Sequence, residues 1–597
     1  PLLSPSAMTR PRDPDLVTGD DGTPRSALFG DVYFSVENGL EESRAVFLQG
    51  CGLPELWAGR SRFVVGELGF GTGLNVLALF DLWRRTRPAG GRLHVFSVEG
   101  YPMTAEAAAR ALSAIPEIAD LTAMLVARWP RRVEGAYRLD FPELDATLDL
   151  AIGEALPAVR AWSGRADAWF LDGFSPASNP GMWSPELMAA VFERSAPGAR
   201  VGTFTVAGAV RRALAEAGFE VAKRPGFGRK RERLEAVRPG EAPAARAPRV
   251  AVIGAGIAGA ALTRALARLG LRPIVYEADK TGAGASGNPA GLVTPRLDAG
   301  GGAVARLSAQ AFHRAVDVYG RETPQAVIAR GVVQLEAMSR DARRFDALAD
   351  QPLFEPGALA RLTPRDAAAR LGEPVERGGL WMAEALTVEN PAVLDAFLAD
   401  ADLRVGRVAR VVPHGAAWRL LDSEGALMAE VDAVIVAAGA GLSALVDLPL
   451  QPVRGQAEVV RGVGVAAPAA FGGYAVPTRD GVLFGATHDR DDDRADVREG
   501  DRARNLETLA AVLPALASAF AAAPSTARAG VRATTRDRLP VAGRLAEGLF
   551  VLGGMGSRGL TLAPLLAEHV AALIADAPSP LPDDLARLVA PERLTPA

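Results

Sequence analysis

Two groups of glycines in this 597-residue chain have the spacing and flanking acids that bring backbone against a phosphate or a ribose. In the fuller group, Gly254, Gly256 and Gly259 stand in G-x-G-x-x-G order and Glu277 follows. Gly254 allows a tight turn, Gly256 lets backbone approach a pyrophosphate, and Gly259 lets a helix pack closely on a strand. A helix N-terminus at this point offers free N–H groups and about +0.5 of a charge. Glu277 can accept hydrogen bonds from both hydroxyls of a ribose. These residues work only in a particular frame. Val250 to Ile253 is a short β-branched apolar run that reads as a buried strand. An Ala/Leu-rich amphipathic helix comes next, and Pro273 to Tyr276 reads as a second strand ending on the acid. The glycines alone are weak evidence; with these flanks they predict a dinucleotide site.

The other group comes earlier. Phe63 to Val65 reads as a strand, followed by Glu67, then Gly69, Gly71 and Gly73, then a helix. The next strand, Leu93 to Val98, ends on Glu99, placed to hold ribose hydroxyls. Glu154 follows a further strand, where it could reach an adenine. Ala168 to Leu171 ends at Asp172 and a Pro-rich loop. An NAD-type Rossmann domain is one reading of this pattern. The order E-x-G-x-G-x-G, second-strand acid, later acid and strand-end Asp also resembles class I S-adenosylmethionine-dependent methyltransferases. Asp172-Gly-Phe-Ser-Pro176 looks like a relaxed form of the D-P-P-Y loop of the amino-group members. That resemblance assigns Glu67, Gly69, Gly71, Gly73, Glu99 and Glu154 to S-adenosylmethionine. It makes Asp172 the group that accepts the amine's N–H hydrogens and aims its lone pair, with Phe174 and Trp183 as walls. Such chemistry is mostly positioning plus a route for the proton.

After Asp279, the segment KTGAGASGNPAGL resembles the G-A-S-x-x-x-x-G stretch of the D-amino-acid oxidase and glycine oxidase family of flavoproteins. EVDAVIVAAGAG (430–441), GVRATTRDRLPVAG (530–543) and FVLGGMGSRGLTLAP (550–564) match the same family in order. The resemblance implies FAD, held by Gly254, Gly256, Gly259, Glu277, Ala285, Ser286, Gly291, Gly439, Gly554, Gly559 and Leu560. It gives Arg532 the task of pairing with a substrate carboxylate, with Arg558 as a second candidate. A bidentate task suits a guanidinium. A helix starting after Gly554 would point its N-terminus at the flavin and favour negative charge on the reduced ring.

Basic residues gather in one place. Lys223, Arg224, Arg229, Lys230, Arg231 and Arg233 lie within eleven residues of a predicted hairpin, with Phe227 among them. Glu232 and Glu235 interleave, so a solvated charged turn is the plain alternative. Arg128, Arg131, Arg132 and Arg138 form a second group. Together they are candidates for contacting RNA phosphates.

Composition narrows the rest. Lys plus Arg is 66, Asp plus Glu is 70, and the net charge of −4 gives no global sign of a polyanion partner. The single cysteine, Cys51, excludes a disulfide within the chain and a thiolate metal cluster. The five histidines show no ligand spacing, so no metal is expected. No stretch reads as long and apolar enough to span a bilayer, and no secretory signal is read at the N-terminus. Met8 is a candidate start, with Pro1 to Ala7 expected to carry no structure. The expectation is a soluble cytoplasmic monomer without a membrane partner.

The expected fold class is α/β. A class I methyltransferase Rossmann-like domain (9–238) and a Pro/Ala linker (239–248) precede a two-lobed FAD-binding Rossmann domain of the D-amino-acid-oxidase type (249–575). Its cofactor pieces are expected near 249–300, 388–450 and 528–575, and an α+β substrate lobe at 301–387 and 451–527. Residues 576–597 are expected to form a short tail or helix. The combination resembles a family of bifunctional enzymes that modify the wobble uridine of tRNA. That resemblance implies oxidative removal of a carboxymethyl group from a carboxymethylaminomethyl-uridine, then N-methylation of the amine left behind. A small-molecule amino-acid oxidase fused to an amine methyltransferase, and a non-catalytic RNA-binding flavoprotein, remain open alternatives.

Overall fold

Strands that read as continuous apolar runs should lie in the middle of sheets covered on both faces. The computed structural model describes residues 10–19, 22–35, 38–228, 231–241 and 247–594. Pro1 to Ala7, expected to be unstructured, lie outside these. The chain divides into two compact units, Pro1–Arg246 with Pro578–Asp583, and Ala247–Ala577 with Asp584–Ala597.

In the first unit, Arg62–Leu68 (RFVVGEL) is buried from Phe63 onward. It runs parallel to Arg92–Glu99 on one side and to Ala166–Leu171 on the other. The eight-stranded sheet continues outward to Ala146–Ile152 and Gly135–Phe141 at one edge. At the other it continues to Ser195–Thr203 and the hairpin Glu220–Pro225/Glu232–Val237. Side chains of one strand alternate between faces. Phe63 and Val65 therefore join the core under the helix Leu74–Thr86, and Val64 and Leu68 the core under Pro185–Glu193 and Gly208–Ala217. The first strand is the point where the strand order reverses, and ligands of open α/β sheets bind beyond the carboxyl ends of strands at such a point.

The second unit holds a six-stranded sheet built around Val250–Ile253. Ile274–Glu277 and Ala433–Val436 flank it in parallel. Leu549–Gly553 continues the sheet beside Ala433–Val436. A ten-stranded sheet forms the other lobe. Ser525–Thr534 pairs along its whole length with Gln451–Arg461 of that larger sheet. Arg532 therefore hangs from the substrate lobe, although the sequence placed a cofactor piece from about 528. Residues 576–597 contain the helix Asp583–Val589.

One expectation needs correction. Gly556–Ala575 is long and apolar enough to cross a membrane by length and composition, and 67% of it is buried within the fold. Its apolarity has a plain cause. The helix Gly559–Ala575 packs against Ile257–Arg268 and Ala303–Glu322, so it needs apolar residues nearly all round. One carboxylate and two guanidiniums are buried in that packing, with the half-buried Glu322 beside them. Arg264 Nη1 and Arg314 Nη2 each donate to Glu568 Oε1 at 2.6 Å, and Arg264 Nε donates to Glu322 Oε2 at 2.8 Å.

His569, next along the same helix, is buried, and burial pushes its imidazole down to about 4. The folded pKa lies below the unfolded one. The folded state therefore binds fewer protons across the window from about pH 6.5 to pH 4, and stability is lost as pH falls through it. Going from about pH 7 to about pH 5 should cost on the order of 2 kcal/mol from this group. Thermal unfolding of wild type and His569→Leu at the two pH values measures it. The melting temperature of the variant should fall less on acidification, and equal falls would show that another group carries the dependence.

Candidate active sites

In the first unit the glycine loop and the loop after Ala166–Leu171 touch. Gly69 has φ of +88°, and a Cβ there would lie 2.6 Å from the Asp172 carbonyl oxygen. Only glycine combines that backbone with that approach. Glu99 stands where the sequence placed it and is tied to both neighbouring turns. Its carboxylate accepts from the Gly71 and Tyr101 N–H groups, each at 2.7 Å. Gly73 ends the loop as the N-cap of Leu74–Thr86. Glu154 is exposed, at the N-cap of Ala155–Ala161.

Glu67 is fully buried. Ser97 Oγ donates to its Oε2 at 2.5 Å, and its Oε1 has no partner. Burial, reinforced by the nearby Asp172 and Glu99 carboxylates, pushes its carboxyl up to about 8. A buried polar atom left unpaired points to a missing partner, here a ligand with hydrogen-bonding groups.

Asp172 is half-buried and held from two directions. Asn75 Nδ2 donates to its Oδ2 at 2.8 Å, and the Gly173 N–H donates to its Oδ1 at 2.9 Å. Asn75 is itself fixed by the Ser43 hydroxyl. Phe174 stacks on Phe29 (4.6 Å between centroids) and meets Tyr33 edge-on at 5.3 Å. Trp183 is only 6% exposed, and its indole N–H donates to the Phe174 carbonyl at 3.0 Å, so it braces the loop that follows Asp172.

Sequence reasoning passed over Phe29, Asp31, Tyr33 and Asn75. Asp31 Oδ2 accepts the Ser175 N–H at 2.9 Å, so the N-terminal strands pin the Asp172 loop. Aromatics mixed with acids in DVYFSVENGL were the available signal.

The predicted basic hairpin is present. Lys223 pairs with Glu232 at 2.7 Å, and Arg233 with Glu235 at 2.7 Å. Arg231 is exposed, while Arg229 and Lys230 lie outside the described residues. The second basic group is partly paired within the fold. Arg138 is buried and forks onto Asp149, with both bonds at 2.7 Å. Arg128 pairs with Glu143, and Arg132 with Asp13. Partners remote in sequence consume these charges.

The second unit contains a cleft of about 1400 Å³. Gly254, at φ +106°, opens one end; a Cβ there would lie 2.7 Å from the Ala437 carbonyl oxygen. At Gly259 a Cβ would lie 1.8 Å from the Gly254 carbonyl oxygen, which measures how closely helix and strand approach. Glu277 Oε2 accepts the Ala255 N–H at 2.7 Å. Ser286 Oγ lies 3.1 Å from a Cβ built at Gly256 and accepts the Ile257 N–H at 3.0 Å. Ala285, Gly291, Gly439, Gly554, Gly559 and Leu560 all line the same cleft. The N-termini of Ile257–Arg268 and Gly559–Ala575 both open onto it.

Arg532 lines the cleft and makes no ion pair among the described residues. Arg528, Gly530 and Arg532 share one face of their strand. Gly530 meets the Ala285 backbone, where a Cβ would come within 3.3 Å of its Cα. Arg528 reaches the carbonyls of Gly282, Ala283 and Gly284. Asn390 Nδ2 donates to the Ser286 carbonyl at 3.2 Å. Neither Arg528 nor Asn390 was read as a site residue. The R-x-G-x-R alternation was a usable signal for the first. Arg558 is half-buried and donates to the Pro295 carbonyl at 3.1 Å. Burial and the nearby Arg296 push its guanidinium down to about 10.

A family model described as FAD dependent oxidoreductase matches residues 249–573. Another, described as S-adenosyl-L-methionine-dependent methyltransferase, matches 116–239. The chain is 56% identical to the tRNA 5-methylaminomethyl-2-thiouridine biosynthesis bifunctional protein MnmC of Caulobacter sp. (strain K31), over 98% of this chain and 99% of the relative. It is 47% identical to the protein of the same name from Maricaulis maris (strain MCS10), over 92% of this chain and 90% of the relative. A solved glycine oxidase from Bacillus cereus ATCC 14579 matches 59% of this chain and 99% of its own, at 21% identity and a TM-score of 0.50. That likeness is one of fold.

The glycine turn yields a direct test. Gly254→Val adds a clash with Ala437 and a backbone strain of about 1–3 kcal/mol. Flavin absorbance per purified protein should fall roughly tenfold or more. Gly500→Ala, outside the cleft lining and with a new Cβ that meets nothing within 4 Å, should keep it. Full flavin in Gly254→Val would remove this turn from the cofactor site.

Proposed function

We infer the function of this chain from the family to which it belongs, the bifunctional tRNA 5-methylaminomethyl-2-thiouridine biosynthesis proteins. It is a bifunctional enzyme, an S-adenosylmethionine-dependent methyltransferase followed by an FAD-dependent oxidoreductase. Its substrate is tRNA carrying a carboxymethylaminomethyl group on the wobble uridine, and it acts in the cytoplasm as a monomer. Arg532, facing the cofactor cleft without an ion-pair partner, carries this reading.

A carboxymethylamine is a glycine whose nitrogen bears the nucleoside. Arg532 pairs with its carboxylate and so sets the CH₂ between carboxylate and nitrogen toward the cleft. Gly254, Gly256 and Gly259 admit the pyrophosphate of FAD, Glu277 holds its ribose, and the cleft has room for dinucleotide and substrate together. Bound there, FAD supplies a two-electron acceptor for a C–H beside an amine nitrogen. The substrate becomes an imine between nitrogen and the former CH₂. Water adds to that carbon, the C–N bond breaks, and glyoxylate leaves a primary amine on the nucleoside.

That amine is the nucleophile of the first unit. Gly69, Gly71, Gly73, Glu99, Glu154 and the unpaired oxygen of Glu67 fit S-adenosylmethionine, which supplies an electrophilic methyl on a sulfonium. Asn75 and the Gly173 N–H fix the plane of the Asp172 carboxylate, which accepts the amine's N–H hydrogens and turns its lone pair toward the methyl. Phe174 lies against the nucleoside, and Arg229, Lys230 and Arg231 meet the RNA backbone.

The test is anaerobic. Mixing the yellow protein with tRNA bearing carboxymethylaminomethyl-uridine should bleach the flavin, and adding S-adenosylmethionine should then yield the methylaminomethyl nucleoside. Bleaching by free glycine or sarcosine but not by this tRNA would replace the RNA reading with a small-molecule one. Asp172→Ala should keep bleaching while methyl transfer falls roughly 100-fold or more. Loss of both activities in a folded variant would contradict separate sites.

A further inference from the structure

Beside the flavin cleft lies a second pocket, of about 500 Å³, that the reaction as described does not use. Arg296, Arg340, Arg344, Arg538 and Arg558 line it, with Asp298 as the one carboxylate among its lining residues. Asp298 offsets one of these charges, but it forms no ion pair with an arginine among the described residues; its Oδ1 accepts the Gly300 N–H at 2.9 Å. Arg296, Arg340 and Arg538 make no ion pair among the described residues. Arg344 holds Asp341 at 3.1 Å, yet its buried Nε has no partner. The buried arginines of this unit, Arg264, Arg314 and Arg454, are by contrast matched to carboxylates, the first two to Glu568 and the third to Asp501.

Gathering like charges in a partly enclosed space is unfavourable unless an anion joins them, and the Arg296–Arg558 repulsion is one symptom. The backbone itself is held to present one of the charges. Arg538 sits at φ +61°, a conformation unfavourable for a side-chain-bearing residue. The turn around it is fixed by the Leu539 N–H donating to Asp537 Oδ1 at 3.0 Å, and by Arg593 Nε donating to Asp537 Oδ2 at 3.0 Å.

Thr294, Gln334, Arg538 and Arg558 line this pocket and the flavin cleft alike, so a group seated here lies next to the nucleoside in the cleft. We propose that this pocket binds backbone phosphates of the RNA on either side of the nucleoside being oxidised. The proposal rests on the RNA reading above. A single substrate carboxylate is matched by Arg532 and is too little charge for the four guanidiniums here that have no ion pair among the described residues, even with Asp298 beside them. The cofactor's pyrophosphate belongs with the Gly254 turn. Consecutive phosphodiesters bring one charge each, and guanidinium forks match their oxygens. RNA recognition of a base splayed out of a loop needs such a grip on its flanking backbone.

The experiment uses the full-length holoenzyme and two substrates for anaerobic flavin reduction. One is tRNA bearing carboxymethylaminomethyl-uridine. The other is the free 5-carboxymethylaminomethyl-uridine nucleoside, which keeps the carboxylate and lacks every phosphate. Arg340→Gln and the double variant Arg296→Gln/Arg340→Gln should raise KM for the tRNA, about tenfold in the double variant. They should lower the salt dependence of log KM by about one unit of slope per arginine lost. Reduction by the nucleoside should not change, which also shows that the variants fold and hold flavin. An unchanged tRNA KM and salt slope would overturn the proposal while leaving the RNA reading intact. An equal loss with both substrates would overturn it too, because the arginines would then serve the carboxylate or the flavin site. If wild type is not reduced by the tRNA at all, the RNA reading fails and takes the proposal with it.

Discussion

Much of the second unit depends on one buried carboxylate. Glu568 sits between Arg264 and Arg314 and so joins three helices, Ile257–Arg268, Ala303–Glu322 and Gly559–Ala575. The first and third of these present their N-termini to the cofactor cleft. Helix ends act on a ligand only while they stay aimed, since the field falls off within about a turn. Removing one partner from such a network costs about 3–5 kcal/mol, because a buried charge is left behind. An apolar replacement of the whole set could be as stable. Apolar packing between helices tolerates a slide that alternate pairing of charges does not.

The first unit solves the same positioning problem with backbone. Gly69 lets one loop lie against the Asp172 carbonyl, and Glu99 binds the N–H groups of two turns. The Asp172 carboxylate is oriented by Asn75, whose own orientation comes from Ser43 thirty-two residues earlier. Its loop is capped by Asp31 and braced by Trp183. A methyl transfer gains most from geometry, so a rigid shell around Asp172 matters more than the strength of any one bond in it.

What could be read from sequence follows from how local each signal is. A glycine turn between strand and helix, with an acid at the next strand's end, is contained in about thirty residues, and both nucleotide-type loops were legible. Asp172 was legible because its strand-end position and its loop are contiguous. Arg532 could be singled out only through family order, since its place on the large sheet depends on pairing with Val453, about eighty residues upstream. Asn75, Asp31, Asn390 and Arg528 were missed because each acts on a loop far away in the chain. Trp183 was legible as a neighbour of its loop, but its burial and its bond to the Phe174 carbonyl were not.

Charge shows the same limit more sharply. The sequence counts 66 basic and 70 acidic side chains, and runs of arginine looked like the way to find a polyanion site. A charge is available to a partner only if the fold has not already matched it. Arg138 belongs to a basic cluster in sequence, yet Asp149, itself bonded to His94, holds it in the core. Lys223 and Arg233, inside the densest basic run, are paired across or along their hairpin. Arg296, Arg340 and Arg538 stand far apart in sequence and form no run, yet folding brings them to one pocket without ion-pair partners. The electrostatic surface is therefore the remainder after internal pairing, and that remainder is set by tertiary contacts. Net charge and local runs describe the chain before this subtraction, which is why this group of unmatched guanidiniums lies where the sequence pattern is silent.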